Sequence, residues 1–479
     1  MRLAISFIAV AAVLSSAGLQ TSHAANVKNV VFILVDDLGW ADLTCYGSKF
    51  HKTPNLDRLA ASGMRFTDAY AACPVCSPTR AAIMTGQHPA RVGITDWIPG
   101  QSPRNRKLLS NVDLDALPLK QVTLAEALGK HGFKTFFAGK WHLGSDGALP
   151  QDQGFAINKG GHHKGSPPGG YYAPYKNPQL KNGPKGEYLP DRLTNESIDF
   201  LKSIQDERFL LYLSFYTVHT PIQADKQSVA EFQAAAGELG KSPPPKQERN
   251  GLTRMRQDRA DYASMVAGMD RNVGRLLDAL EERDLADSTA IFFTSDNGGL
   301  STLARRNAPT CNLPLRAGKG WCYEGGIRVP LIVRVPGVTE PGSTSHQPVT
   351  SMDFYPTILE MLGLAAMPEQ HTDGSSLIEV LSGKSQLDRT DLHWHYPHYH
   401  GSTWTPGAAI RSGNWKLIEF YETDEVELFD LSNDPGEQRD LSKTNSGKTR
   451  ELQGRLKRWQ TQVGAALPRK NPNYKPQAD

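Results

Sequence analysis

One segment of the chain combines a cysteine, a proline and an arginine in a spacing that suits an anion-binding site. It runs Cys76-Ser-Pro78-Thr-Arg80 and continues into residues that favour helix. Because Pro78 suits a first helical turn, we predict that Cys76 lies at a helix N-terminus with Arg80 one turn further on. Free backbone N–H groups, the helix dipole and the guanidinium would attract an anionic substrate. The same field would lower the pKa of a thiol, so an ordinary cysteine nucleophile also fits.

Polar residues also follow several apolar runs that have the pattern of buried strands. The sets are Asp36-Asp37 after 30–35, Lys140 and His142 after 134–138, His219 after 209–216, and Asp296-Asn297 after 290–294. Open parallel α/β sheets bind ligands at the carboxyl ends of their strands, so we expect these residues to share one edge. The oxygen atoms of Asp36, Asp37, Asp296 and Asn297 suit Ca²⁺ or Mg²⁺. For Asp36-Asp37 alone, a helix cap or a solvated turn is the alternative.

Helical patterns lie between these runs and set the fold class. Apolar residues recur three and four apart from Tyr262 to Leu280, and Thr123 to Glu126 has the spacing of a capping box before a helix that Gly132 would end. Strands alternating with helices predict a doubly wound α/β domain. The stretches 158–187 and 240–257 are rich in proline, glycine or charge and are predicted to be long surface loops.

The pattern changes near residue 385. Residues 414–421 and 427–431 read as short strands, and Leu452, Leu456 and Trp459 fall on one helix face. We therefore predict a catalytic domain at 25–385 and a small C-terminal α+β domain at 386–479.

The segment from Cys76 to Arg80, with Thr85-Gly86 downstream, resembles the signature at which type I sulfatases convert a cysteine to formylglycine. The resemblance extends over nearly the whole chain and implies a sulfuric ester hydrolase of alkaline-phosphatase-like fold, a mixed sheet flanked by helices. Its further motifs, in the family's order, are Asp36-Asp-Leu-Gly-Trp40, Thr53-Pro-Asn-Leu-Asp57, Gly139-Lys-Trp-His-Leu-Gly144, Ser295-Asp-Asn-Gly298, Gly318-Lys319 and Glu324-Gly-Gly-Ile-Arg-Val-Pro330.

The resemblance also implies a role for each polar residue. The cation ligands, with Ca²⁺ favoured over Mg²⁺, are Asp36, Asp37, Asp296 and Asn297. Arg80 and Lys140 match positions that stabilise the hydrated aldehyde and the sulfate oxygens. His142 matches the residue that holds or deprotonates a formylglycine hydroxyl. His219 and Lys319 match sulfate-binding positions, and His219 is the expected proton donor to the leaving oxygen.

In the implied mechanism, one hydroxyl of hydrated formylglycine at position 76 attacks sulfur and releases the alcohol, which leaves a covalent sulfated intermediate. The second hydroxyl then expels sulfate, an exit that an ordinary cysteine or serine lacks. Formylglycine-dependent phosphonate monoester or phosphodiester hydrolases share the scaffold, although a phosphate site would favour two bridged metals. The non-enzyme alternative is a carbohydrate-binding relative in which Cys76 is never oxidised.

A histidine-rich segment bears on the substrate. The run from His393 to His400 contains four histidines among aromatic residues that can stack on sugar rings. We predict that His393, His395, His398 and also His163 bind substrate. Packing at the domain junction and metal binding are the alternatives. The segment resembles bacterial sulfatases that act on galactose or N-acetylgalactosamine sulfates of polysaccharides.

Residues 1–24 have the pattern of a cleaved export signal, with a basic start, an apolar run and small residues up to Ala24. A membrane anchor is the alternative, but the apolar run is too short to span a bilayer. We expect a periplasmic or secreted bacterial protein without a membrane span, matured by a formylglycine-generating enzyme. The 53 basic and 50 acidic side chains nearly cancel, so no nucleic-acid-binding surface is indicated.

The cysteine count is odd for an exported chain, at 5 residues. One cysteine is therefore expected to have a separate role, and removing Cys76 leaves four that could form two disulfides. A zinc site or redox pair on Cys73 and Cys76 is the alternative. Cys311 and Cys322 do not supply the second close pair that a structural zinc site prefers.

Overall fold

A large mixed sheet organises the chain. The computed structural model describes residues 27–476 apart from 101–104, 112 and 306, so the predicted export signal lies outside the described residues. The strands are β1 (Asn29–Val35), β2 (Met64–Tyr70), β3 (Leu108–Leu109), β4 (Lys134–Gly139), β5 (Ile157–Lys159), β6 (Phe209–Ser214), β7 (Lys246–Glu248), β8 (Gly251–Thr253), β9 (Thr289–Ser295), β10 (Thr302–Leu303), β11 (Arg328–Arg334), β12 (Ser343–Ser345), β13 (Val349–Thr350), β14 (Asp391–Tyr396), β15 (Gly407–Ser412), β16 (Trp415–Phe420), β17 (Glu425–Asp430) and β18 (Arg469–Lys470). The helices are α1 (Pro54–Ser62), α2 (Cys76–Thr85), α3 (Pro89–Val92), α4 (Leu124–Lys130), α5 (Leu189–Ser203), α6 (Val229–Glu238), α7 (Ala260–Glu281), α8 (Glu324–Ile327), α9 (Phe354–Met361), α10 (Ile378–Leu381) and α11 (Ser446–Val463).

The strand order of the main sheet brings several strand ends to one edge. The order is β12-β2-β11-β9-β1-β6-β4-β5, with β13 beside β2. Strands β9, β1, β6, β4 and β5 are parallel, whereas β11 runs antiparallel to both β9 and β2. The carboxyl ends of the parallel strands therefore share the edge where such sheets bind ligands. This arrangement confirms the predicted mixed α/β sheet flanked by helices.

Strand β1 shows how helices cover both faces of the sheet. Val30, Phe32 and Leu34 pack with residues of α2, α4 and α9, whereas the alternate residues pack with residues of α1, α5 and α7. All 7 residues of β1 are buried. A strand covered on both faces needs a continuous apolar run, and that is what the sequence provides.

Helices α7 and α4 confirm the helical patterns that the sequence predicts. Helix α7 buries the apolar stripe that includes Met265, Met269 and Val273. Helix α4 begins at the predicted capping box, where Glu126 N–H donates to Thr123 Oγ1 at 3.1 Å and Thr123 N–H donates to Glu126 Oε2 at 2.8 Å. Each bond satisfies a backbone donor that the first helical turn leaves unpaired.

The C-terminal part forms a separate antiparallel sheet with the order β14-β15-β16-β17. Leu452 and Leu456 of α11 pack on one face of this sheet. Trp394 and Trp404 pack on the other side against Trp321, which belongs to the main part of the chain. Strands β16 and β17 and helix α11 agree with the predicted elements. The boundary at 385/386 stays a prediction.

The structure corrects the predicted loops and disulfides. Residues 240–257 contain β7 and β8, which form a small sheet with β10. Residues 158–187 begin in β5 and bury Tyr171 and Tyr175, so this stretch is partly core. All five cysteines are described, and all are free thiols, so the two possible disulfides are absent from this structure. Among the described residues, no helix has both the length and the apolar character needed to cross a bilayer.

Candidate active site

Cys76 begins helix α2, as the sequence predicts, and is only 2% exposed. All ten residues of α2 are buried, so the surrounding core fixes the helix in place. The Cys76 Sγ atom lies 3.3 Å from His142 Nδ1. Burial raises the pKa of the Cys76 thiol above its ordinary value, and the nearby Lys140 and Lys319 oppose this only in part. The expected lowering of the thiol pKa is therefore wrong, because loss of hydration outweighs the positive field.

His142 is oriented with one ring nitrogen toward Cys76. Its other nitrogen, Nε2, forms a short hydrogen bond to the Ile98 carbonyl, and Ser77 Oγ donates to the His142 carbonyl at 2.9 Å. Because a carbonyl only accepts, Nε2 carries the proton and Nδ1 is left with a lone pair. Burial and the neighbouring Lys140 hold the pKa of His142 well below its ordinary value. A neutral imidazole that can accept a proton therefore faces Sγ. His142 also has a left-handed backbone (φ 59°), which is uncommon outside glycine.

Four oxygen-bearing side chains converge where β1 and β9 end. Asp37 N–H donates to Asp296 Oδ1 at 3.2 Å, and Asn297 Nδ2 donates to Asp37 Oδ1 at 2.8 Å. Asp36 Oδ1 and Asn297 Oδ1 are buried, and no described residue gives either oxygen a hydrogen bond. Burial raises the pKa of Asp36 well above its ordinary value, and the Asp296 and Asp37 charges add to this effect.

These features fit a hard divalent cation. Two unpaired buried oxygens and three crowded carboxylates are costly unless positive charge is bound between them. Ligand atoms of Asp36, Asp37 and His219 also lie within 4.8 Å of one another. The carboxylate and amide oxygens are ligands that Ca²⁺ and Mg²⁺ prefer, whereas thiol-seeking metals would be poorly served.

Three buried cations surround the carboxylates. Arg80 Nε donates to Asp296 Oδ2 at 2.8 Å, and Lys140 Nζ donates to Asp36 Oδ2 at 2.7 Å. These hydrogen bonds hold the side chains of Arg80 and Lys140 against the strand ends.

The third cation, Lys319, lies 2.7 Å from Asp37 Oδ1. Burial alone would raise the pKa of Asp37, but Lys319, His219 and Lys140 together hold it below its ordinary value. The pKa of Lys319 is raised in turn, because Asp37 and its other anionic neighbours outweigh the cost of burial. Lys319 is therefore charged, and it lines a cavity beside Cys76 that is described below.

His219 lies beside the cluster of carboxylates and cations. Its Nδ1 donates to the Thr220 carbonyl at 2.7 Å, and its Nε2 lies 3.8 Å from Asp37 Oδ2. Burial and the charge of Lys319 lower the pKa of His219 to about 3. The ring is therefore neutral in the absence of an anionic ligand, with Nε2 directed toward the charged cluster.

A cavity of about 660 Å³ opens over Cys76. His163, predicted to bind substrate, lies in its wall and is exposed. Trp97 and His400 also line it; no sequence pattern pointed to Trp97, and His400 belongs to the histidine-rich run but was not among the predicted substrate-binding residues. The polar residues that line it include Asp37, Cys76, His142, His163, His219, Lys319 and His400.

The three other predicted substrate-binding histidines lie elsewhere. The His393 ring stacks on Trp459 at a centroid distance of 4.4 Å. His395 Nε2 contacts the Ala466 carbonyl at 3.1 Å, and His398 Nε2 contacts Thr95 Oγ1 at 2.8 Å. These rings pack within and beside the C-terminal sheet, away from the cavity wall, so their placement gives no support to a substrate contact.

Comparison with known proteins places this site in a family context. The family model described as Sulfatase matches residues 28–364, and a model described as N-sulphoglucosamine sulphohydrolase, C-terminal, matches residues 317–463. A protein of Formosa agariphila described as Sulfatase is 33% identical over 89% of this chain and 86% of its own length. Human arylsulfatase A is 32% identical over 92% of this chain and 89% of its own length.

The names of two further similar proteins mention a carbohydrate. The dog N-acetylgalactosamine-6-sulfatase is 30% identical over 87% of this chain and 76% of its own length. The crystal structure of Ps i-CgsB in complex with k-i-k-neocarrahexaose has a TM-score of 0.74 and 30% identity, and the match covers 90% of this chain and 92% of that one.

Proposed function

This chain belongs to the sulfatase family and is a sulfuric ester hydrolase, and we propose that it removes sulfate from a carbohydrate by means of a formylglycine formed from Cys76. The observation that carries the proposal is the position of Cys76. It begins a buried helix in the wall of a cavity, 3.3 Å from a neutral histidine and beside a cluster of cations and carboxylates.

Conversion of Cys76 also accounts for the environment of its thiol. Burial raises the pKa of the unmodified thiol, so Cys76 is a poor thiolate nucleophile in this structure. Formylglycine supplies a hydrated aldehyde with two hydroxyls, one for attack on sulfur and one for release of sulfate. A hydroxyl needs a neighbouring base, and His142 Nδ1 presents a lone pair at the required position.

The cations have a separate task. A sulfate ester carries negative charge and gains more on its oxygens as the ester bond breaks, so fixed positive groups lower the barrier. Lys319 lines the cavity, while Arg80 and Lys140 lie behind it and are anchored to Asp296 and Asp36. We assign Lys319 to direct contact with the sulfate. Arg80 and Lys140 hold charge beside position 76.

The carboxylate cluster is assigned to a single divalent cation. Asp36, Asp37, Asp296 and Asn297 would hold it, with Ca²⁺ favoured over Mg²⁺ because the set is rich in carboxylates. A cation held there would act as a Lewis acid toward the negative charge of the sulfate.

His219 is assigned to protonation of the leaving oxygen. A pKa of about 3 makes the free ring neutral. A sulfate anion beside the ring adds negative charge, which raises the pKa of His219 and so favours the protonated ring. Substrate binding therefore favours a proton on Nε2 of His219. The hydrogen bond from Nδ1 to the Thr220 carbonyl keeps the ring oriented while Nε2 gives up that proton.

The substrate is assigned to sulfated galactose or N-acetylgalactosamine units of a polysaccharide. The named relatives include N-acetylgalactosamine-6-sulfatase, and a structural neighbour was solved with neocarrahexaose. Trp97, His163 and His400 in the cavity wall offer a ring face and polar nitrogens for a sugar. The pattern of residues 1–24 further supports a periplasmic or secreted enzyme, with a formylglycine-generating enzyme as its maturation partner.

A substrate panel tests the reaction class. Enzyme from a host with the maturation machinery is assayed on an aryl sulfate, galactose 6-sulfate, N-acetylgalactosamine 6-sulfate, a phosphonate monoester and a phosphodiester. We expect kcat/KM on the sulfates to exceed that on both phosphorus esters. A preference for a phosphorus ester would contradict the proposal, and binding of sulfated sugars without turnover would favour a binding protein.

A further inference from the structure

A basic cleft of about 910 Å³ adjoins the small sheet β7-β8-β10. Its wall includes Lys241, Arg254, Arg256, Arg259 and the proline run at 243–245. We propose that this cleft binds a second sulfated unit of the polymer whose reacting sulfate ester enters the Cys76 cavity. The inference rests on the proposed function, because it takes the substrate to be a sulfated carbohydrate.

Strand pairing places the cleft beside the Cys76 cavity. Leu303 on β10 lines the cavity and pairs with Leu252 on β8, which lines the cleft. Neighbouring strands lie about 4.8 Å apart, so the two walls are adjacent. The pairing continues on the cleft side, where Arg254 N–H donates to the Ser301 carbonyl at 2.9 Å. The cations of the cleft therefore lie one strand beyond the part of β10 that lines the cavity.

The guanidinium groups of the cleft are held in position by the protein. Asp258 accepts from Arg254 Nε at 3.1 Å and from Arg256 Nε at 3.0 Å. Arg256 also donates to the carbonyls of Leu239 and Gly240, at 3.1 and 2.9 Å. Cations that are already ordered lose little side-chain freedom when an anion binds.

The cleft keeps an excess of positive charge despite these pairs. Asp258 is the only carboxylate among its described lining residues, and Arg259 is paired with Asp261 next to the cleft. Lys241 is exposed and has no carboxylate partner within the described part of the chain. Two carboxylates thus face four cations. That balance suits a ligand with repeated sulfate groups and disfavours a neutral or basic chain.

The test compares a long substrate with a short one. We would measure kcat/KM for a sulfated galactan hexasaccharide and for a small aryl sulfate, which is too short to reach the cleft. The variants are Lys241→Glu and Lys241→Glu combined with Arg256→Gln. The control is Lys130→Glu, an exposed lysine that ends α4 next to the amino end of β4, at the opposite edge of the sheet from Cys76.

We expect the ratio of the two kcat/KM values to fall about three-fold in the single variant and about ten-fold in the double variant, mainly through KM of the hexasaccharide. High salt should shrink the difference, because it screens exposed charges. Thermal melting checks the fold, and calorimetric binding of the hexasaccharide to a Cys76→Ala background gives a readout without turnover.

Three outcomes would overturn the inference. They are an unchanged ratio, an equal fall in Lys130→Glu, and equal binding of the desulfated hexasaccharide. If wild-type enzyme hydrolyses both sulfates and the ratio does not change, only the cleft is wrong. If it hydrolyses neither, the proposed function fails first.

Discussion

A buried charge cluster couples the C-terminal sheet to the segment that carries Lys319. Lys416 on β16 lies 2.9 Å from Glu324 and 2.9 Å from Glu437, and all three side chains have zero exposure. Glu324 begins α8, and its backbone N–H donates to Glu437 Oε2 at 2.6 Å. Replacing Lys416 with Met keeps most of the apolar stem and removes the charge, which leaves two buried carboxylates facing each other.

The size of the effect follows from burial. Removing one partner of a buried ion pair costs about 3–5 kcal/mol, because the remaining charge stays buried and uncompensated. Burial raises the pKa of Glu437 to about 7. Burial would also raise the pKa of Glu324, but the charges of Lys416 and Arg328 have the larger effect and lower it to about 2. An acid whose pKa is raised on folding binds more protons in the folded state, so its contribution to stability falls as pH rises between its unfolded and folded pKa values. The variant should therefore lose more stability at about pH 8 than at about pH 5.5.

Chemical denaturation of wild type and Lys416→Met at the two pH values measures this loss. The matched control is Lys448→Met, which breaks an exposed pair with Glu451 on α11 and should cost less than about 1 kcal/mol at either pH. A loss below about 1 kcal/mol in Lys416→Met, or an equal loss at both pH values, would refute the reasoning about buried charge.

Three predictions concern the active site. His142→Ala should lower kcat on an aryl sulfate by about 10²–10⁴-fold with little change in KM, because it removes the base; a change confined to KM would contradict this. Chelation with EDTA should abolish activity and lower the melting temperature, with both restored by Ca²⁺, since Asp36 and Asp37 then repel without a cation; a melting temperature insensitive to EDTA would argue against the site. Arg80→Lys should reduce kcat/KM about ten- to hundred-fold, because one lysine nitrogen cannot replace both Nε, which donates to Asp296, and Nη1, which donates to the Lys140 carbonyl; steady-state kinetics near the wild-type value would show that this geometry is unimportant.

The sequence predicts that the candidate site residues share one edge of the sheet, because their positions follow from strand ends. Asp36 and Asp296 each come directly after a strand, and β1 and β9 pair in parallel, so the two carboxylates meet. Pro78 similarly indicates the first turn of the helix that begins at Cys76. These features depend on local order and on strand direction, both of which are readable from apolar runs.

The histidine-rich segment shows a part of the site that the sequence could not predict, namely which of its histidines faces the cavity. Leu392, Trp394 and Tyr396 on β14 pack toward the main part of the chain, so the alternate His393 and His395 point the other way, toward α11. Only after the strand ends can the segment turn His400 toward the cavity. The four histidines look alike in sequence. The period-two alternation of β14 directs His393 and His395 away from the main part of the chain, and the end of the strand at Tyr396 frees His400 from that pattern.

The pKa of the thiol was predicted in the wrong direction for a related reason. A helix N-terminus and an arginine are visible in the sequence, but complete burial by surrounding core residues is not, and it is burial that raises the pKa of Cys76. The basic cleft could not be predicted from the sequence either, because its arginines become neighbours of the cavity only through the pairing of β8 with β10.

The central claim is that residue 76 acts as an aldehyde and not as a thiol. Mass spectrometry of the peptide that contains residue 76, on enzyme batches made with and without the maturation machinery, tests it most directly when each batch is also assayed on an aryl sulfate. We expect activity to rise in proportion to the fraction of aldehyde and to be absent from enzyme that carries only cysteine. Full activity in enzyme whose residue 76 is entirely unmodified cysteine would contradict it.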